Sequence, residues 1–102
     1  MKNRLLQVMY EIAELLETCG LADQSGWFRE RMKALERCED SRRALRPHAE
    51  ELRGIIAGMG SLSDLSLEPS PESGMSDAEA NRMKWGLADE LNEITGELLS
   101  GS

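Results

Sequence analysis

The chain has 102 residues, a net charge of −7 and an isoelectric point near 4.7. That length suits one domain around one core, and the acidity argues against a nucleic-acid binder, whose electrostatic footprint is basic. No apolar run approaches a membrane span, and no basic start leads into an apolar signal region, so the expectation is a cytoplasmic protein without a membrane role.

The first predicted helix runs from Arg4 to Cys19. Leu5, Leu6, Met9, Ile12, Ala13, Leu16 and Cys19 recur at steps of three and four, as on one face of an amphipathic helix. Gln7, Glu11, Glu14 and Thr18 fall on the other side, and Gly20 offers a stop. A second helix is expected from about Ser25, with Trp27, Phe28, Met32 and Leu35 as its apolar stripe. Pro47 lacks an amide hydrogen and disfavours helical geometry at Arg46. The third segment therefore reads as a short turn at 41–45 and a helix from about 47 to 57. The last helix starts after Ser76, whose pairing with Glu79 is a capping-box signature. Ala80, Met83, Leu87, Leu91, Ile94 and Leu98 form its expected stripe, with Trp85 and Ala88 widening it. Before it, residues 66–75 are rich in Ser, Pro and Glu and read as a flexible loop. Met59, Leu62, Leu65 and Leu67 are expected to anchor the start of that connection on the bundle.

Few residues offer chemistry. His48 is the only histidine, and Cys19 and Cys38 do not form a ligand motif, so no metal site is expected. His48 reads as a solvated residue and the cysteines as free thiols, lying at opposite ends if the first two helices pack antiparallel. The serines lack a nucleophile-elbow motif. Gly58 and Gly60 follow a helix rather than precede one, which suits a helix stop better than a phosphate loop. Glu90, Glu93 and Glu97 share one face of the last helix, solvated or available to a basic partner. Trp27 and Trp85 read as core residues, or as interface anchors if half exposed. Arg42, Arg43, Arg46 and Arg53 form the one basic island, and its role is left open.

Residues 58–65 read GMGSLSDL. With Trp27 in an early helix and an amphipathic helix from Ser76, this resembles an uncharacterised group of small bacterial helical proteins. That group carries a G-M-G-S-aromatic/Leu-Asn/Ser-Asp-Leu/Ile signature after a middle helix. The chain departs from it at Ala57, where glycine is frequent, at Leu62, where an aromatic is common, and at Ser63, where Asn is common. Domains of this type resemble immunity or accessory proteins in bacterial toxin neighbourhoods.

The expected fold is all-α: a small four-helix bundle forming a single helical domain over 1–102, with a long loop before the last helix. The expected function is a non-catalytic protein-binding module, most specifically an immunity-type inhibitor of a bacterial toxin domain with a basic cleft. The alternative is a homodimeric structural or adaptor protein. Partner contacts are expected at Glu90, Glu93, Glu97, Trp85, Asp64 and Ser61, with no catalytic residue, cofactor or metal, and with the chain a monomer or a homodimer.

Overall fold

Gly20 ends the first helix and aims the chain into the second. In the computed structural model, α1 spans Lys2–Thr18 and α2 spans Ala22–Glu36. Gly20 adopts φ 76°, its amide bonds the Glu17 carbonyl at 3.0 Å, and the Leu21 amide reaches back to Leu16 at 2.9 Å. This pair of bonds satisfies carbonyls that the end of α1 would otherwise leave open. The turn delivers the chain directly into α2, which starts three residues before the position that the apolar spacing suggests. No atom lies within 4 Å of a Cβ built at Gly20, so only the backbone conformation opposes a side chain there. Gly20→Ala should cost about 1–2 kcal/mol in chemical denaturation, the penalty of a left-handed L-residue. A neutral result would mean that this turn relaxes in solution.

The structure describes residues 1–57 and 66–100, apart from the side chains of Ile56 and Ala57. The signature GMGSLSDL, with Ser61 and Asp64, lies outside the described residues, as do the proposed anchors Met59, Leu62 and Leu65. Helix α3 spans Arg42–Ala57 and α4 spans Asp77–Ser100, which completes a small all-α bundle. Its long axis measures 45 Å against 22 and 21 Å across.

Cross-links between helices give their directions. Lys2 at the start of α1 donates to the carbonyls of Glu36 and Cys38, at 3.3 and 2.9 Å, at the end of α2. Arg53 donates to Asn92 at 2.8 Å, and Arg46, about two turns earlier, to the Leu99 carbonyl at 3.4 Å. Arg4 lies 3.9 Å from Glu93, while the Ser70 amide, just ahead of α4, bonds the Thr18 carbonyl at 3.1 Å. So α2 is antiparallel to α1, and α4 is antiparallel to both α3 and α1. The core between them is largely aliphatic: Leu5, Met9, Ile12 and Leu16 from α1, Leu35 beside Phe28 from α2, Leu45 and Leu52 from α3, and Leu91, Ile94 and Leu98 from α4. The basic island gains a partial account here. Arg46 and Arg53 fasten α3 to α4, with Arg46 at a helix C-terminus whose exposed carbonyls favour a cation.

The turn expected at 41–45 is instead part of α3. Ser41 opens the helix: its hydroxyl accepts the Ala44 amide at 3.2 Å and its carbonyl accepts the Leu45 amide at 3.0 Å. Pro47 sits in the second turn, on an exposed face, and the missing amide forfeits one bond to the carbonyl of exposed Arg43. Leu45, Ala49 and Leu52 are all fully buried on one stripe, and that stripe exists only if the helix runs through the proline.

Helix α4 starts at its capping signature, of which one half is formed: the Ser76 hydroxyl accepts the Glu79 amide at 3.1 Å. Its buried stripe is rotated from the expected one. Ala80, Lys84, Ala88, Leu91, Ile94, Thr95 and Leu98 face inward, while Met83 is 43 % and Trp85 50 % exposed. Lys84 can occupy the inner row because its long alkyl stem packs like an apolar side chain while its ammonium reaches the Trp85 ring, 4.5 Å from the centroid.

The loop at 66–75 is tied to the bundle. Leu67 is fully buried. Its amide donates to Asn81 Oδ1 at 2.9 Å, and its carbonyl accepts from Asn81 Nδ2 at 3.1 Å. A single 3₁₀ turn at Pro71–Ser73 and Gly74 at φ 73° then fold the chain back, and Met75 packs half-buried on the core.

Both cysteines are free, and they do lie at opposite ends of the α1–α2 pair. Burial first, then the nearby Asp77 carboxylate, raises the Cys19 pKa. His48, expected in solvent, is half-buried with Nε2 3.0 Å from Cys38 Sγ. The cause is α3 starting early, which carries His48 one turn up against the end of α2.

Candidate protein-docking groove

Tyr10, Glu11, Glu14, Leu15 and Thr18 follow one another at helical spacing along one side of α1. Met83, Gly86, Leu87 and Glu90 do the same on α4. The antiparallel packing sets these two rows side by side. Met75 closes one end, and together they line an open groove of about 520 Å³.

The floor and the rim differ in chemistry. Leu15 is buried, and Leu87 and Met75 are half-buried against the core, so the bottom is apolar. Tyr10 and Met83 stand higher, 45 % and 43 % exposed. Gly86 adds no side chain, which leaves the α4 wall low. Glu11, Glu14 and Glu90 supply three carboxylates and no lining residue is basic, although Arg29, just outside the groove, pairs with Glu14 at 3.6 Å. Methionine side chains are flexible and polarizable, and they adapt to partners of varied shape.

The electrostatics of the rim reach Tyr10. A hydrogen bond from its phenol to Glu14, and then the charge of that carboxylate, raise its pKa above the ordinary value. Because the raised group is an acid, its neutral form is the favoured one, and it persists to higher pH than in a free tyrosine. Tyr10 is the only tyrosine, so its ultraviolet titration reports this contact directly. Glu14→Gln should move the midpoint down toward the ordinary value. An unchanged midpoint would show that the two side chains do not meet in solution.

The residues expected to bind a partner scatter. Glu90 lies in the groove. Glu93 and Glu97 are exposed farther along α4, and Glu93 faces Arg4 in a pair too solvated to matter much. Trp85 is exposed on α4 outside the groove lining, with Lys84 over its ring. Ser61 and Asp64 lie outside the described residues. Glu11 and Glu14 were legible only as the polar side of α1, Tyr10 was not singled out, and Met83 and Leu87 read as core.

Trp27 is half-buried and packs against the core. Its ring meets Phe28 edge-on at 5.1 Å and carries the Arg31 guanidinium at 5.0 Å. Arg31 in turn pairs with Glu51 at 2.5 Å and links α2 to α3. Among the described residues no three His, Cys, Asp or Glu side chains are grouped to hold a metal ion, and no helix is long and apolar enough to cross a membrane. Neither a protein-family model, a curated protein nor a solved structure matches the chain.

Proposed function

We propose that this chain is a non-catalytic protein-binding module that works through the α1–α4 groove. The carrying observation is the combination of an open apolar floor with a rim of Glu11, Glu14 and Glu90 and no basic lining residue. Such a surface suits a partner segment that presents apolar side chains flanked by Lys or Arg. The apolar contacts would supply most of the affinity, and the rim charges would speed and orient the encounter.

In its specific form the proposal is an immunity-type inhibitor that occludes the basic cleft of a bacterial toxin domain. The resemblance carried by GMGSLSDL and the strong net acidity favour it. The test is co-expression with the proteins encoded beside it. The expected result is a complex that survives purification and protects the host cell from the neighbour's toxicity. A complex without protection would retain the binding module and discard the inhibitor. No complex with any neighbour would count against both.

A homodimer is the second reading, favoured by the exposure of Trp85 and Met83 on the same helix. Sedimentation equilibrium separates the two. A stable dimer in which Trp85 fluorescence is shielded supports the homodimer, and a monomer at all concentrations removes it.

A further inference from the structure

Cys38 and His48 are brought together across the α2–α3 turn, away from the groove. The Cys38 amide bonds the Leu35 carbonyl at 3.0 Å, and its own carbonyl accepts Lys2 Nζ at 2.9 Å. The residue is thereby pinned between the end of α2 and the start of α1. His48 belongs to α3, on the helix that carries buried Leu45, Ala49 and Leu52. It borders a crevice with Met9, Arg31, Leu35, Glu51 and Leu52 that has no room for a water molecule. The imidazole is therefore held in place, with Nε2 3.0 Å from Cys38 Sγ. Both residues keep part of their surface in solvent.

We infer that Cys38 is a thiol-modification site for low-molecular-weight disulfides, with His48 as its base. A thiolate is the reacting form of cysteine, and an adjacent imidazole that can take the proton is what makes one reactive. His48 Nε2 accepts the thiol proton, and Sγ attacks one sulfur of the disulfide. The new Sγ–S bond forms as the old S–S bond breaks, and the departing thiolate takes the proton from His48. Cys38 is oxidised to a mixed disulfide while the released half is reduced to a thiol, so no further reactant is required. Cys19 has none of this: burial and Asp77 hold its thiol protonated, which makes it an internal control.

The full chain is treated with oxidised glutathione, and the adduct at each cysteine is followed by mass spectrometry of its peptides. Cys38 should react at least about tenfold faster than Cys19, and His48→Gln should slow Cys38 by about tenfold while leaving Cys19 unchanged. Equal rates at the two cysteines, or a Cys38 rate indifferent to His48→Gln in a folded variant, would overturn the inference. If that variant does not fold, the wild-type rate of Cys38 in buffer is compared with its rate in urea. Faster reaction in the native chain supports the pair, and slower reaction overturns it.

Discussion

Replacing Leu67 by Ala is expected to lower stability by about 2–5 kcal/mol, the range for emptying a fully buried leucine site. The leucine is 0 % exposed although it belongs to no helix. It is the only residue between 66 and 75 that is fully withdrawn from water, and the connection into α4 docks through it. Its loss would leave a cavity that the helices around it cannot close without moving. Asn81→Ala should destabilise less, by about 1–3 kcal/mol, because it strands the amide and carbonyl of Leu67 that Asn81 now satisfies. The two losses should not add, since each substitution frees the same segment. Urea denaturation of the single and double variants measures all three quantities. With a total stability of about 5–15 kcal/mol for a domain, the leucine variant would give up a large share. A loss below about 1 kcal/mol for Leu67→Ala would mean that this segment is not docked in solution.

Met83→Lys is expected to weaken binding of the partner by at least about 30-fold, the level of a hot-spot residue, with little change in stability. The methionine stands 43 % exposed at the groove, so folding loses little when it becomes polar. A partner that places apolar side chains there would meet a buried ammonium instead, and a basic partner would also be repelled. Exchanging Glu11 and Glu90 for Lys should act differently. It should mainly slow association and flatten its dependence on salt, because rim charges steer more than they hold. Binding kinetics on the partner recovered by co-purification separate the two effects. If the methionine variant bound as tightly as the native chain, the interface would have to lie elsewhere, with the exposed face around Trp85 the next to test.

Much of the fold could be read from spacing. The four helices, the stop at Gly20 and the cap at Ser76 follow from apolar periodicity and local backbone chemistry, which act over a few residues. The anchoring of the connection at Leu67 was also legible, as the last of the four apolar residues Met59, Leu62, Leu65 and Leu67. Pro47 shows where local signals fail. Its backbone penalty suggested a break, yet burial of Leu45, Ala49 and Leu52 outweighs one lost hydrogen bond. Lys84 shows a second limit. Periodicity scored Met83 as inward and passed over Lys84, but the stripe that meets α1 and α3 passes through position 84.

The candidate site was legible only in part, and for a similar reason. Glu90 was found because it lies in a visible row of acids, whereas its groove partners Glu11 and Glu14 come from a helix some seventy residues earlier. The pairing of Cys38 with His48 had no signature either, since it depends on where α3 begins. Composition, charge and periodicity are properties of one segment at a time. They establish that this chain is acidic, helical and amphipathic. Which faces are left uncovered, and which polar groups meet, depends on the rotation and direction of each helix against its neighbours. Those are set by the fit of Leu, Ile and Met side chains in the shared core, which no single helix specifies.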